Sequence, residues 1–298
     1  MRISSNSEYL TAMADIERAA NDLARWQAQV SSGRRLQVPS DDPLATTQAI
    51  AEHAELGTLD QYVRTADSAK IRLTVVDTVL ADVLDRLTSA RASASAACGT
   101  VATDAQREAL ATELEGIADT LLSDVNTNFR GAYVFAGSAT LTAPYATQAD
   151  GSVSGYQGDG NSVALDVDRA RSVQVGFDGR TLVQGSDTED VFACIANLVT
   201  AIQNNDQTGI ADGLDGLDRA IDRTVAFQSG VGMALSNLED EQARLNTLSE
   251  ASLGRVSHAE DANMAEAATG MARADTAYQA ALGAIGARSR LTLLDYLR

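Results

Sequence analysis

Apolar residues recur along residues 66–97 at alternating spacings of three and four. A coiled-coil helix presents this stripe to a partner helix, and here it continues for more than four heptads. With a lead-in from residue 58, the helix should run for about 40 residues, or about 60 Å at 1.5 Å per residue. Such a helix cannot bury its stripe alone and needs partner helices. The stripe consists of Ala66, Ala69, Leu73, Val76, Leu80, Val83, Leu87, Ala90, Ala94 and Ala97.

Partner helices are predicted by the same three–four rhythm in five further segments. Near the N-terminus, the rhythm ends at Gly33, which suits a left-handed helix cap. A second segment could be capped by Asp104. The apolar positions of the five segments are Ile16, Ala20, Leu23, Gln27 and Val30; Leu110, Leu114, Ile117 and Leu121; Val191, Ile195, Leu198 and Ile202; a stripe over 210–245; and, over about 260–296, Met264, Met271, Tyr278, Leu282 and Ile285.

Residues 131–186 have a different character, because they hold nine of the 22 glycines and three Asp-Gly pairs. Val163, Leu165 and Val167 alternate with polar residues, as half-buried strands do. Asp-Gly favours hairpin turns, so we expect turns at 150–151, 159–160 and 178–179. The segment therefore predicts a small β-rich domain inserted between helices.

The predicted fold class is mainly α with an inserted β-rich domain (α+β), arranged as a long coiled-coil helical rod with a small β knob. Three parts follow. Residues 1–50 and 250–298 are terminal helices that form an assembly coiled coil, residues 51–130 and 187–249 form the helical rod, and residues 131–186 form the β-rich domain.

Charge narrows the function classes. The chain of 298 residues has a formal net charge of −18, which argues against nucleic acid as a partner because phosphate binding needs clustered Lys and Arg. Residues 36–254 carry −19, whereas the two ends are close to neutral. Near-neutral ends can pack against one another or against other copies, so the charge distribution is a hint of assembly through the termini.

The cysteines and the apolar runs bear on location. Cys98 and Cys194 are too few for a disulfide framework, and buried free thiols are expected. The N-terminus lacks the apolar run of a secretory signal peptide, and the longest apolar stretch is too short to span a bilayer. On these grounds alone, the sequence predicts a cytoplasmic protein without membrane insertion.

Candidate catalytic chemistry is sparse. His53 and His258 lie outside any metal-binding spacing and are interpreted as solvated helix-face residues. The loop 156–161 lacks the spaced acids and closing Glu of a calcium loop and is better explained as a hairpin turn. The acidic residues Asp82, Asp85, Asp119 and Asp124 read as solvated faces. No cofactor or metal is predicted, and the chain is not expected to be an enzyme.

The motif Pro39-Ser40-Asp41-Asp42-Pro43 poses the question of whether its paired carboxylates are chemical or structural. Pro43 suits the first position of a helix, and Asp42 before it is a natural N-cap. Asp41 adds negative charge near the positive end of the helix dipole. The carboxylates are therefore predicted to start a helix rather than to bind metal or act as acid and base.

These motifs together resemble the bacterial flagellin superfamily. "MRIS" at the start, "SSGRRLQVPSDDPLA" and "VQVGFDGR" occur in that family's order, and within it "YVFAG" and "YQGD" are most similar to the hook-associated proteins of the hook–filament junction. The family positions in the β-rich segment are Tyr133, Phe135, Gly137, Tyr156, Gly158 and Asp159. The tail "RSRLTLLDYLR" and Trp26 depart from the family pattern.

The resemblance implies a structural subunit of the bacterial flagellum. It further implies export through the flagellar type III channel without a cleaved signal peptide, which would place the protein outside the cell instead of in the cytoplasm. The implied partners are copies of itself in a ring, hook-associated protein 1, flagellin and a cytoplasmic export chaperone. The terminal helices of such proteins are disordered in the free subunit and form coiled coils in the assembled tube, and their middle domains face outward.

The predicted mechanism is ordering of the terminal helices when their apolar seams meet. The predicted assembly seam comprises Leu10, Met13, Ile16, Leu23, Val30, Met264, Met271, Tyr278, Leu282 and Ile285. The simpler interpretation is that these residues form intramolecular core. Three other functions stay open at this point: a flagellin of the filament itself, a secreted enzyme on a flagellin-like scaffold, and a coiled-coil adaptor or chaperone unrelated to flagella.

Overall fold

The computed structural model describes residues 2–98, 103–149 and 151–296, and their side chains between residues 9 and 287. By contacts, the chain divides into two compact units. Residues 1–59 and 247–298 form the first, which we call the terminal unit, and residues 60–246 form the second, the central unit. The two long helices of the chain contribute residues to both.

The described elements are mainly helical, as predicted, with two small two-stranded sheets. The order along the chain is α1 (Arg2–Ser32), α2 (Pro43–Ala97), α3 (Asp104–Val125), β1 (Asn128–Phe129), β2 (Ala132–Tyr133), β3 (Val163–Asp168), β4 (Arg171–Gly176), α4 (Gly179–Val183), α5 (Val191–Gln203), α6 (Gln207–Glu260) and α7 (Met264–Tyr296).

The core of the central unit follows the predicted stripe of α2. All ten stripe residues from Ala66 to Ala97 are buried. They join one hydrophobic cluster with buried residues of α3, α5 and α6, among them Leu114, Leu198 and Leu217. A stripe with strict three–four spacing thus finds the partner helices that its length requires.

The predictions for two helix starts need correction, because two predicted segments form one helix and one cap is a different residue. Residues 43–57 and 58–97 form a single helix of 55 residues, because nothing interrupts the backbone hydrogen bonding at residue 57. The cap of α3 is Thr103 and not Asp104. Its side chain accepts a hydrogen bond from the Gln106 N–H, and the Gln106 side chain reaches back to the cap, so both ends of a capping box are present.

The alternating strands are confirmed, but only one of the three Asp-Gly pairs lies in a hairpin-like turn, the 150–151 pair, across which Thr147 and Val153 form an antiparallel bridge. Strands β3 and β4 pair antiparallel with Val167 and Val175 buried, and they are joined at residues 169–170. Asp178 instead caps α4. Asp159 sits in a loop between other segments, and Asp150 lies outside the described residues. Asp-Gly favours a tight turn of any kind, and here tertiary contacts recruit the Asp side chains as hydrogen-bond acceptors.

Two further expectations need adjustment. Asp124 is half-buried and lies 4.0 Å from the Arg86 guanidinium, and desolvation raises its pKa, so it is not a solvated face residue. Cys98 and Cys194 are free thiols, as expected, but both are only partly buried. Burial raises the pKa of the Cys194 thiol. Among the described helices, none is long and apolar enough to cross a membrane.

Candidate assembly surface in the terminal unit

Helices α1 and α7 pack side by side within the terminal unit. They are antiparallel, because the Ala262 N–H donates to the Gly33 carbonyl at 2.8 Å where α1 ends and α7 is about to begin. On each helix, six of the less exposed side chains follow heptad spacing. They are Ala12, Ile16, Ala19, Leu23, Trp26 and Val30 on α1, and Ala267, Met271, Ala274, Tyr278, Ala281 and Ile285 on α7. We call these twelve residues the α1–α7 seam.

The structure divides the ten predicted assembly residues into two groups. Six of them belong to the α1–α7 seam and are half-buried: Ile16, Leu23, Val30, Met271, Tyr278 and Ile285. The other four point away from it, with exposed fractions between 41 % and 62 %: Leu10, Met13, Met264 and Leu282. The first group can pair within one chain, whereas the second is available to something else.

Sequence reasoning missed the small members of the seam and Trp26. The rhythm through Ala20 and Gln27 is as regular as the rhythm through Ala19 and Trp26, but Gln27 is exposed and Trp26 is half-buried. The apolar character of Trp26 was the signal that could have chosen between the two. On α7, Ala267 is almost completely buried, although it carries little weight in a hydrophobic pattern.

The segment that follows α1 is hydrogen-bonded to the segment that connects α6 and α7. Arg34 and Asp261 form an isolated antiparallel bridge. The Arg35 N–H donates to the Glu260 carbonyl at 2.6 Å, and the Arg35 guanidinium donates to the Ala259 carbonyl at 2.9 Å. The Glu260 carboxylate also lies 3.5 Å from the Arg34 guanidinium. Backbone and ionic contacts thus hold the two chain reversals of the terminal unit together.

Asp42 caps the start of α2, as the sequence predicts, whereas Asp41 closes the turn before the helix. One Asp42 carboxylate oxygen accepts from the Ala45 N–H at 3.0 Å at the start of α2, and the other pairs with Arg35 at 3.2 Å. Asp41 accepts the backbone N–H groups of Gln37 and Val38 at 2.9 and 3.0 Å. These hydrogen bonds lower the pKa of both carboxyls. The Ala45 N–H contributes most to lowering the pKa of Asp42, and the Val38 N–H contributes most to lowering that of Asp41.

Polar groups also join the start of α2 to the end of α6. The Glu52 carboxylate accepts from the Arg255 guanidinium at 2.6 Å and from the buried Ser252 hydroxyl at 3.0 Å. The hydrogen bond from Arg255 is the main reason that the pKa of Glu52 is lowered. One position along, His53 Nε2 lies 2.7 Å from a Glu260 carboxylate oxygen. His53 is therefore exposed, as expected, but it is partnered.

Several large apolar side chains of the terminal unit stay exposed. Besides the four predicted seam residues, these include Leu44 and Ile50 on α2 and Leu248 and Leu253 on α6. Leu44 is 81 % exposed, and the other three lie between 41 % and 65 %. Single exposed apolar residues are ordinary, but a series along every long helix of one unit is typical of an interaction surface.

The six family positions of the β-rich segment interlock in the central unit. The half-buried Tyr133 lies in β2, and the buried Phe135 follows that strand. The Tyr156 hydroxyl donates to the Phe135 carbonyl at 3.0 Å. Burial raises the pKa of Tyr156 to about 12. Gly137 has φ +66°, and a Cβ there would stand 2.2 Å from the Asp159 carbonyl. A Cβ at Gly158 would meet the Tyr156 hydroxyl at 2.4 Å.

Asp159 closes this loop by accepting hydrogen bonds. Its carboxylate accepts from the Ser138 N–H at 2.6 Å and from the Ser138 hydroxyl, and also from the Asn161 side chain at 3.1 Å. The hydroxyl of Ser138 contributes most to lowering the pKa of Asp159 to about 2. These contacts explain the family motif as packing. Among the described residues, no three His, Cys, Asp or Glu side chains converge as a metal site would require.

A paired set of terminal helices, a helical central unit and small hairpins together define a flagellin-type structural subunit. The family model for the bacterial flagellin N-terminal helical region matches residues 3–140. The chain is 30 % identical over 261 residues to flagellar hook-associated protein 3 of Salmonella typhimurium, covering 80 % of this chain and 81 % of that protein. The chain therefore belongs to the flagellar hook-associated protein 3 family.

Two further comparisons agree with that membership. Flagellar hook-associated protein 3 of Escherichia coli is 27 % identical over 262 residues, with 80 % of this chain and 81 % of the relative covered. A crystal structure of the flagellar junction protein FlgL from Legionella pneumophila superposes with a TM-score of 0.60 at 15 % identity, covering 72 % of this chain and 100 % of that one. The fold is thus shared, and the hook-associated relatives favour this branch over a flagellin of the filament.

Proposed function

We propose that this chain is the structural subunit that joins the hook of the bacterial flagellum to its filament. One observation carries the proposal beyond family membership: the terminal unit exposes large apolar side chains on each of its four described helices. A subunit that works by assembly needs such a surface, whereas an enzyme or a monomeric adaptor does not. The surface would be covered by neighbouring copies and by the adjoining flagellar proteins.

The energetics fit assembly better than a self-sufficient fold of the terminal unit. A fully buried Leu, Ile or Met side chain contributes about 1.5–3 kcal/mol, and ordering one residue costs about 1–2 kcal/mol of backbone entropy. Met13, Met264 and Leu282 each leave 41–49 % of their surface in water. Nearly half of their contribution is therefore still to be gained, and contacts with other copies would supply it.

The finer parts of the proposal follow from the family. The chain would form a ring of its own copies, contact hook-associated protein 1 on the hook side and contact flagellin on the filament side. It would reach that position through the flagellar type III channel, with an export chaperone in the cytoplasm. The acidic central unit, which supplies most of the negative charge, would face outward and keep neighbouring assemblies apart.

Deletion of the gene, scored by electron microscopy of hooks and filaments, tests the proposal. Hooks without filaments, together with monomeric flagellin released into the medium, are the expected result, since filament growth would lack its foundation. Restoring the intact gene from a plasmid is the control. Ordinary filaments on normal hooks would contradict the junction role.

A further inference from the structure

Trp26 is the one tryptophan of the chain, and it lies in the α1–α7 seam opposite a glycine. A Cβ built on Gly270 would stand 2.7 Å from Cδ2 and Cε2 of the indole and 2.9 Å from Cζ2. Distances under 3.0 Å are essentially never found for real Cβ atoms, and here the obstacle is a rigid ring. The indole therefore rests directly on the backbone of α7, in a space that glycine alone provides.

We propose that Trp26 and Gly270 set the register in which α1 and α7 pair. Trp26 lies seven positions before Gly33, which follows α1, and Gly270 lies seven positions after Asn263, which precedes α7, so their contact carries into the seam the register that the Ala262–Gly33 hydrogen bond begins. The pair works as a bulky residue matched to a gap. For its consequence in the flagellum, this inference rests on the proposed function; the contact itself joins two residues of one chain.

The rest of the seam specifies the register only to within one heptad. It is rich in alanine, with Ala12 and Ala19 on α1 and Ala267, Ala274 and Ala281 on α7. These alanines alternate with larger residues such as Ile16 and Met271, so the pattern of volumes repeats after a shift of one heptad. The Trp26–Gly270 contact breaks this equivalence, because the indole fits one position only.

A shifted register would place a side chain where the ring needs space. Moving α7 by seven residues replaces Gly270 opposite Trp26 with Asn263 or Ala277. Each carries the Cβ that glycine lacks, so the ring would have to rotate out of the seam or force the helices apart. The Arg25 guanidinium lies over the indole ring, 5.6 Å from its centre, and adds a cation–π contact.

Glycine at position 270 is costly for a helix, which makes the contact testable. Gly→Ala in a helix interior ordinarily stabilises, because alanine has the higher helix propensity. Gly283 on the same helix is the matched control, since no described atom lies within 4 Å of a Cβ built there. Alanine should therefore stabilise the helix at 283 and disrupt the pairing at 270.

The experiment measures how fast trypsin cuts the purified full-length chain after Arg18, an exposed residue of α1, by mass spectrometry of timed samples. Trimethylamine N-oxide, which strengthens burial, is added at a concentration at which the wild-type chain resists this cleavage, since the terminal helices of such subunits are expected to be disordered when free. Cleavage of a transiently opened helix follows the population of the open form. We expect Gly270→Ala to raise the cleavage rate about tenfold and Gly283→Ala to leave it unchanged or lower it.

The rescue variant decides whether Trp26 is the cause. Trp26→Ala combined with Gly270→Ala should be cut no faster than Trp26→Ala alone, because the added Cβ then meets no ring. The proposal is overturned if Gly270→Ala is cut no faster than Gly283→Ala, or if removing Trp26 leaves the effect of Gly270→Ala intact. Since this readout needs no flagellum, it stays informative even if the gene deletion refutes the junction role.

Discussion

The central and terminal units use the same two long helices in opposite ways. In the central unit, the inward positions of α2 and α6 are filled by residues such as Leu73, Leu80 and Leu238, all fully buried. In the terminal unit, heptad spacing continues, but the inward positions include Glu52 and Ser252. The spacing of a seam thus fixes where helices meet, whereas its residue types determine how much stability that meeting supplies.

Exposure shows the same contrast. The described helices of the terminal unit expose Leu10, Leu44, Leu253 and Leu282, among others, while the large core of the molecule lies within the central unit. We infer that the central unit holds its own fold and that the terminal unit is completed by other molecules. A polar seam partnered through hydrogen bonds costs some stability and gives a defined register in return.

The largest expected effect comes from placing a charge on the exposed apolar surface of the terminal unit. Leu282→Asp should abolish filament assembly and motility, because a carboxylate would have to be buried where neighbouring copies meet. The urea unfolding of the central unit should not change. Thr276→Asp, at an exposed position of the same helix, is the control for added charge. Normal swimming by the Leu282→Asp strain would contradict the assembly role of this surface.

The opposite result is expected in the central unit. Leu80→Ala removes a completely buried side chain from the core and should lower the free energy of unfolding by about 2–5 kcal/mol. Ile71→Ala on the same helix, where the side chain is 47 % exposed, should change it by no more than about 0.5 kcal/mol. Urea unfolding followed by circular dichroism measures both. Equal effects of the two substitutions would remove the distinction between core and surface on α2.

What the sequence could predict differs between the units for a physical reason. The α2 stripe was predicted at all ten positions from Ala66 to Ala97, because Leu and Val at strict spacing leave a single inward face. On α1, the contrast is weak, since Ala19 and Ala20 are both half-buried and either could belong to the seam. The choice between Trp26 and Gln27 then depends on Gly270, which lies 244 positions from Trp26 and which no local pattern connects to it.

The same division holds for the motifs. The helix start at Asp42 was predicted because Pro43 and the N-cap act locally. The capping box of Thr103 and Gln106 was also visible in the sequence, but Asp104 was chosen in its place. The role of Asp159 could not be foreseen, since its main partner Ser138 is brought to it by the fold. The assembly role of Leu10, Met13, Met264 and Leu282 stays a prediction.

A smaller effect is expected from the tight loop of the central unit. Gly137→Ala would force a positive φ on alanine and drive its Cβ into the Asp159 carbonyl, so the free energy of unfolding should fall by at least about 1–3 kcal/mol. Gly131→Ala separates the two causes. That residue also has positive φ, at +85°, but no described atom lies within 4 Å of its Cβ position. Gly131→Ala should therefore cost less, and an equal loss would show that backbone strain alone is responsible.

The smallest expected effect is on the stability of the central unit at acidic pH. The pKa of Asp159 is lowered from 3.8 to about 2 by its hydrogen bonds with Ser138, so the folded state favours the ionised carboxylate. Its contribution is fully present above pH 4 and is lost as the pH falls toward 2, because the unfolded chain takes up the proton first. The urea midpoint of the central unit should therefore decline over this range.

Asp159→Asn should lower the urea midpoint at pH 7 and flatten its decline between pH 4 and 2. Asp166→Asn, at an exposed position of β3, is the control and should leave the slope of that decline unchanged. If the Asp159→Asn curve ran parallel to the wild-type curve, acid sensitivity would have to come from other carboxyls, and the terminal unit, where the pKa of Glu52 is lowered by Arg255, would be the next place to measure it.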